Sequence, residues 1–400
     1  SALGPFSYEL LDTKLARSPK AKFVIQLGMY CAMLKAIQGI SPALMHVILG
    51  DGNEASFRVA DYADYVERLK ARFLSRVLGT TFNTYPEPCS HCDLCRWRKR
   101  CSDTWASDDH LSLVANIQKS QIKKLQGVGV DTLAALARLD PQQTIPGIAQ
   151  PVLNRLSGQA GLQLDSRITG DPKVKLIHFE EAKPGSEIRR GFARMPKPDV
   201  GDLFFDMEGD PFTTDGLEYL FGLYYVDKGE PIFTPFWAHD RLEERRAFEQ
   251  LIDFISERLR QYPKAHIYHY AAYEASALKK LMGLHGTREA EVDALLRGHK
   301  LVDLYRVVRE SIQVSEPAYS IKNLERFYAD RRAGTVQNAG GSVIAYEAWK
   351  QTGLVSILDE IAAYNRDDVI STYKLRQWLL SLRPLNMPWA NSSVEAEPPQ

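Results

Sequence analysis

The chain has 400 residues, with 50 Lys+Arg against 50 Asp+Glu and a net charge of +0. Hydrophobic residues at 44% and charged residues at 25% describe an ordinary globular protein and exclude a collagen, a disordered tail or a small disulfide scaffold. No apolar run approaches the ~18–20 residues that cross a bilayer and no signal peptide opens the chain, so no membrane partner is expected. Any nucleic-acid binding must come from local patches rather than from a global field.

A chain of this length suggests two or three domains. It opens at Ser1, a few residues before a strand, and is expected to be an internal fragment of a longer polypeptide. Residues 1–85 read as α/β: a strand at 6–14, a helix from Lys20 to Gln38, a strand from Ala43 to Leu49, a turn at Asp51-Gly52-Asn53, a returning strand and a helix near 61–77. Residues 86–105 are Cys-rich. Residues 106–165 read as helical with two Gly-containing breaks. Residues 166–199 are rich in Pro and charge, with Arg189, Arg190, Arg194 and Lys197 close together, and read as a basic linker. Residues 200–383 form a second α/β unit, with strands near 202–208, 218–227, 232–238 and 265–270 and a helix at 241–261. Residues 384–400 read as a linker tail.

The second unit carries the strongest chemical signal. Its first strand reads GDLFFDMEGDP, so Asp206 and Glu208 are i and i+2 on one face. Two carboxylates side by side repel unless a cation lies between them, which is half of a two-metal phosphodiester site. A strand running into an acidic turn gives the same pattern. Residues 266–281, HIYHYAAYEASALKKL, end a strand and open a helix at Glu274. Residues 361–380 read as an amphipathic helix in which Tyr364 and Asp368 share a face. A Tyr one turn from an acid can position or deprotonate an attacking water.

The order of these motifs resembles the DEDD exonucleases of the RNase H-like superfamily, most closely the YprB-type branch, over about 200–383. The resemblance implies that Asp206, Glu208, Glu274 and Asp368 hold Mg2+ or Mn2+ and that Tyr364 orients water. LVDLYRVVR around Asp303 and SIKNLERFY around Ser320 and Lys322 fit the same family. Glu274 stands where the family usually has Asp, one methylene shorter. The implied reaction is 3′-to-5′ hydrolysis of phosphodiester bonds.

In the first half, Asp12 and Lys14 form D-x-K on one strand face, and Gln26 and Tyr30 are four apart on the next helix. These resemble the last motifs of RecB-like nucleases of the PD-(D/E)xK class, which implies a catalytic role for all four. That family needs a further carboxylate upstream, and only eleven residues precede Asp12, so the core is read as truncated and inactive by itself.

Four of the five cysteines fall between residues 89 and 101, which suggests a metal site in a reducing, cytoplasmic compartment rather than a set of disulfides. Cys92, Cys95 and Cys101 resemble the terminal cysteines of iron–sulfur RecB-like nucleases. With Cys89 they make C-x2-C-x2-C-x5-C, a four-thiolate set for a 4Fe-4S cluster or for Zn2+. Cys31, alone in a helix, reads as core. Arg96, Arg98, Lys99 and Arg100 surround Trp97, a composition suited to phosphate and base contact or simply to a solvated face. QIKKLQGVGVDTLAALARL resembles a helix-hairpin-helix whose turn amides bind backbone phosphate, although a plain helical hairpin reads the same way.

The expected fold class is therefore α/β: a truncated PD-(D/E)xK core, a Cys-rich metal knot, a helical hairpin region and a C-terminal RNase H-like domain. The expected activity is a two-metal nuclease acting on DNA ends in repair or recombination, within a larger protein that includes a helicase. Its alternatives are an inactive nucleic-acid-binding scaffold for a helicase partner, or RNA as substrate.

Overall fold

The structure is a computed structural model that describes residues 1–79, 84–92, 95–177, 190–213, 215–329 and 339–390. It divides into two compact units, Ser1–Cys89 and Ser90–Gln400.

The first unit runs β1 (Leu10–Thr13), α1 (Ala21–Gln38), β2 (Leu44–Ile48), β3 (Glu54–Arg58) and α2 (Ala63–Val77). β1 pairs in parallel with β2, and β2 pairs antiparallel with β3. The β2–β3 hairpin turns through Gly52 at φ 82°, a left-handed conformation that glycine adopts without strain. Met45 and Val47 on one face of β2 meet Phe23, Val24, Leu27 and Cys31 of α1, so Cys31 is a core residue as its setting in an apolar helix suggests.

The second unit opens with α3 (Arg98–Ser107), α4 (Lys119–Gln126), α5 (Leu133–Ala137) and α6 (Gln150–Thr169). Leu111, Leu125, Leu133, Leu136 and Ala160 are fully buried among these helices. Next come β4 (Val174–Leu176), β5 (Leu203–Asp210), β6 (Leu217–Asp227), β7 (Glu230–Trp237), α7 (Arg241–Gln261), β8 (Ile267–His269), α8 (Tyr273–His285), α9 (Glu289–Arg297) and β9 (Leu301–Asp303). The chain closes with α10 (Leu304–Ser311), β10 (Ile312–Val314), α11 (Ile321–Leu324), α12 (Ala339–Thr352) and α13 (Val355–Leu382).

Five strands form one sheet in the order β7-β6-β5-β8-β9. β5, β6 and β7 are antiparallel neighbours, whereas β5, β8 and β9 run parallel. Both faces are covered, which is why β6 and the first three residues of β5, Leu203–Phe205, read as nearly unbroken apolar runs. Leu203, Phe205 and Met207 point into the core beneath α7, α8 and α9, whereas Phe204 packs with Val369, Leu375 and Leu379 of α13. The α13 face is therefore the face that carries Asp206 and Glu208.

The segment read as a linker at 166–199 is structured wherever it is described. Its first residues finish α6, β4 pairs antiparallel with β10, and Phe192 and Met195 are buried in the α13-side core. Its proline and charge content hides a strand whose partner lies far along the chain. Arg189, with residues 178–189 as a whole, lies outside the described residues. The start of the expected tail is packed too: Ala390 N–H donates to Met195 O at 2.9 Å, and the Arg383 guanidinium stacks on Trp389. The rest of that tail, residues 391–400, lies outside the described residues. Buried Gln159 ties α6 to the sheet domain by donating to Val314 O at 2.7 Å and accepting from Tyr319 OH at 2.7 Å.

Candidate active site

Asp206 and Glu208 lie where β5 nears its carboxyl end, and α13 crosses that face with Tyr364, Asn365 and Asp368. One carboxylate oxygen from each of Asp206, Glu208 and Asp368 falls within 4.8 Å of the others. Glu208 is buried, and Asp206 and Asp368 are half-buried. Among the described residues this is the only group of three or more metal-ligating side chains that converges in this way. Its donors are all carboxylate oxygens, a set that fits a hard divalent cation such as Mg2+ or Mn2+.

The electrostatics say the same thing. Burial pushes Asp206 well above the ordinary carboxylate range, and the charges of Asp368, Glu208 and Glu274 push it further. Glu208 rises to about 8, through burial first and Asp368 second, while Ser342, Lys322 and Asn365 pull it back down. A set of acids packed so closely retains protons at neutral pH unless a cation replaces them.

Two glycines open room for this arrangement. Gly222 on β6 sits directly opposite Asp206, and a Cβ there would lie 1.7 Å from Asn365 Oδ1. The missing side chain lets fully buried Asn365 reach over β6 and donate to Asp206 Oδ2 at 2.8 Å. The β5–β6 register shifts between Glu208 and Gly209, a bulge that ends regular pairing just past the acids. A Cβ on Gly209 would strike Glu218 Oε2 at 2.3 Å, and Tyr273 OH lies 2.9 Å from both oxygens of that carboxylate, which share its one proton.

Tyr364 is buried one turn before Asp368. Lys322, at the start of the helix capped by Ser320, donates from Nζ to Tyr364 OH at 2.7 Å and lies over its ring. Burial first, then the Asp368 and Glu208 charges, drives the Tyr364 phenol upward. It therefore stays neutral at ordinary pH.

Glu274 is buried at the start of α8. It lies outside the group of three yet close enough for its charge to act on Asp206. The turn that leads to it contains Ala271 at φ 79°, a left-handed conformation uncommon for alanine. Asp303 holds this turn by accepting from Ala271 N–H at 3.0 Å, and the same oxygen caps α10 through Tyr305 N–H at 2.9 Å.

None of the other sequence candidates is a member of this group of three among the described residues. In the first unit, Lys14 Nζ pairs with Asp12 Oδ2 at 2.7 Å, and Gln26 Nε2 donates to Tyr30 OH at 2.9 Å. Each pair forms, and among the described residues Asp12 belongs to no group of three or more metal-ligating side chains. Cys89, Cys92, Cys95 and Cys101 form no disulfide, and among the described residues no three thiols gather at ligand distance. The expected helical hairpin is present as α4 and α5. Its turn amides at Gly127, Val128, Gly129 and Val130 all donate to carbonyls of α4, so these amides are not turned outward for phosphate. Lys99 of the basic stretch pairs with Asp103 at 2.7 Å.

Sequence reasoning missed Asn365, Gly222 and Ser342 altogether and gave Lys322 no role. Only Asn365 and Lys322 had a signal, through their positions beside Tyr364 and at a Ser-capped helix start.

A family model described as the RNase_H superfamily, RNase_H_2, matches residues 203–380. The C-terminal domain is RNase H-like. With its acidic group at Asp206, Glu208 and Asp368, it fits a metal-dependent nuclease, which implies a nucleic-acid substrate. No curated protein and no solved structure matches the chain. Among the described residues, no helix is long and apolar enough to cross a membrane.

Proposed function

We propose that the chain hydrolyses phosphodiester bonds as a DEDD-type, YprB-like 3′-to-5′ exonuclease acting on single-stranded DNA. The observation that carries this reading is the convergence of Asp206, Glu208 and Asp368 beside a Tyr364 phenol held by Lys322. Asp206, Glu208 and Asp368 would hold Mg2+ or Mn2+, with Glu274 as the fourth carboxylate. Such cations, when bound, supply the charge that activates water and neutralises the leaving 3′ oxygen. Tyr364 orients the attacking water through its neutral hydroxyl. Lys322 fixes that hydroxyl and adds positive charge where the scissile phosphate approaches. Asn365 sets the angle of the Asp206 carboxylate.

The wider assignments rest on sequence resemblance. The first unit is proposed as the end of a RecB-like nuclease core, with Asp12, Lys14, Gln26 and Tyr30 as its remaining site residues. The cysteine spacing supports a 4Fe-4S or zinc site at Cys89, Cys92, Cys95 and Cys101, which iron, sulfide and zinc content of anaerobically purified protein would test. A downstream helicase and a role in DNA repair or recombination follow from the same resemblance.

The test uses 5′-labelled single-stranded DNA and RNA with Mn2+, comparing the wild type with Asp206→Ala and Lys14→Ala. A 3′-shortening ladder on DNA, lost with Asp206→Ala and kept with Lys14→Ala, is the expected result. Digestion of RNA alone would transfer the substrate to RNA. Absence of digestion by folded, Mn2+-binding wild type would overturn the enzyme reading and leave a binding scaffold.

A further inference from the structure

His269 is the last residue of β8, and Glu274 lies in the first turn of α8. His269 is 2% exposed and Glu274 is 3% exposed. His269 Nδ1 faces Glu274 Oε2 at 3.3 Å. Neither atom has a hydrogen-bond partner among the described residues, although both are fully buried, so the 3.3 Å approach is the one polar contact each is given. A buried imidazole nitrogen and a buried carboxylate oxygen left to each other cost stability unless they serve each other or a ligand.

The backbone between them is arranged to make them meet. Ala271 takes its left-handed turn, locked by Asp303, and that turn folds the start of α8 back over the end of β8. Strain held by a specific clamp at this point marks a geometry that the fold maintains. The same turn puts Glu274 close enough to raise the pKa of Asp206, although Glu274 is not one of the three converged carboxylates.

We infer that His269 is the positioning residue for Glu274: it engages one carboxylate oxygen, Oε2, and so fixes the longer acid as the fourth corner of the cation site. This inference rests on the nuclease reading of Asp206, Glu208 and Asp368. An Asp at position 274 would be one methylene shorter, with one fewer bond to fix. A glutamate there has an added rotatable bond, and the imidazole beneath it removes that freedom. Partners of this kind behind ligand side chains typically change metal affinity about 10–100-fold when removed.

The test measures Mn2+ binding to the whole chain by calorimetry, without nucleic acid, and then the Mn2+ dependence of cleavage. His269→Phe keeps the buried ring and removes the donor. His269→Asn keeps a donor close to the Nδ1 position. The expected result is Mn2+ binding weakened about 10–100-fold in His269→Phe, largely recovered in His269→Asn, with the KM for DNA unchanged at saturating Mn2+. Glu274→Gln should weaken binding to a similar degree, and adding His269→Phe to it should cost nothing more. Wild-type Mn2+ affinity in folded His269→Phe would overturn the role of His269. If His269→Phe fails to fold, wild-type affinity in Glu274→Gln would overturn it equally. Asp206→Ala separates the two levels: if it abolishes Mn2+ binding while His269→Phe binds Mn2+ like wild type, the nuclease site stands and the positioning role falls. If Asp206→Ala binds Mn2+ like wild type, the site reading itself fails, and the inference falls with it.

Discussion

Gly222→Ala tests whether the acidic site is built by long-range fit. The new Cβ would lie 1.7 Å from Asn365 Oδ1, 2.8 Å from Asn365 Cγ and 3.1 Å from Phe233 Cε2. Carbon and oxygen rarely approach closer than about 3.3 Å, so the Asn365 amide must move by roughly 1.5 Å. Asn365 is fully buried on a helix packed against the sheet, so the side chain has little room to yield. That movement breaks the 2.8 Å bond from Asn365 Nδ2 to Asp206 Oδ2. Overpacking a filled core costs about 1–3 kcal/mol, and a lost hydrogen bond to a carboxyl that keeps its proton without a cation about 0.5–1.5 kcal/mol. The expected destabilisation is therefore about 1.5–4.5 kcal/mol, with cleavage falling in parallel because Asp206 loses its orientation. Asn365→Ala alone should lose the hydrogen bond without the clash. Gly222→Ala with Asn365→Ala should be clearly more stable than the sum of the two changes, because the new methyl occupies vacated space. Denaturant melts give the stabilities, and Mn2+-dependent cleavage gives the activity. If Gly222→Ala stays within about 0.5 kcal/mol of wild type, or the pair adds without coupling, the close fit between β6 and Asn365 is refuted.

Other consequences follow from the same geometry. Without a cation, folded Glu208 stays protonated up to about pH 8, whereas its ordinary value is 4.5. Between those values the unfolded chain binds fewer protons than the folded one, so stability should fall as pH rises through that window. Asp206, also raised, adds to the slope. Melts in EDTA should show this decline, Glu208→Gln should flatten it, and Mn2+ should raise Tm more at about pH 8 than at about pH 5; an equal slope in Glu208→Gln would contradict the assignment. Tyr364→Phe should lower kcat by about 100-fold or more while Mn2+ binding survives, since the hydroxyl orients water and holds no cation. Lys322→Met should lower kcat in the same direction and, combined with Tyr364→Phe, should cost less than the two separate losses multiplied, as stopped single-turnover assays would show. Buried Arg376 pairs with Asp202 at 2.8 Å. Arg376→Met leaves that carboxylate buried and unpaired, so a loss of about 3–5 kcal/mol is expected in urea melts, and Asp202→Asn in the same background should recover part of it.

The parts of the site that were legible in the sequence are those whose geometry is local. Asp206 and Glu208 face one way because strand side chains alternate, and Tyr364 meets Asp368 because four residues make about one helical turn. The apolar stretch Leu203–Phe205 announced a strand covered on both faces. The illegible parts depend on register between distant segments. Nothing within ten residues of Gly222 says that it faces Asp206 or must clear a path for Asn365; that follows only once β6 pairs with β5 and α13 crosses both. Lys322 and Tyr364 are 42 residues apart in sequence, and only the packing of α11 against α13 brings the ammonium to the phenol. β4 shows the same effect in the fold. Val174–Leu176 is too short and too exposed to declare itself a strand, and it becomes one because Ile312–Val314 offers an edge. Composition failed there because it describes a segment by itself, whereas a three-residue strand is defined by its partner. The acids could be read because they must carry charge into a buried place, and few sequences do so without a reason. The neighbours that make this tolerable are a glycine, an asparagine, a histidine and a lysine, each ordinary in its local setting. Their chemistry exists only in the assembled fold, so a substitution such as Gly222→Ala is a sharper probe of the site than removal of an acid the sequence already exposes.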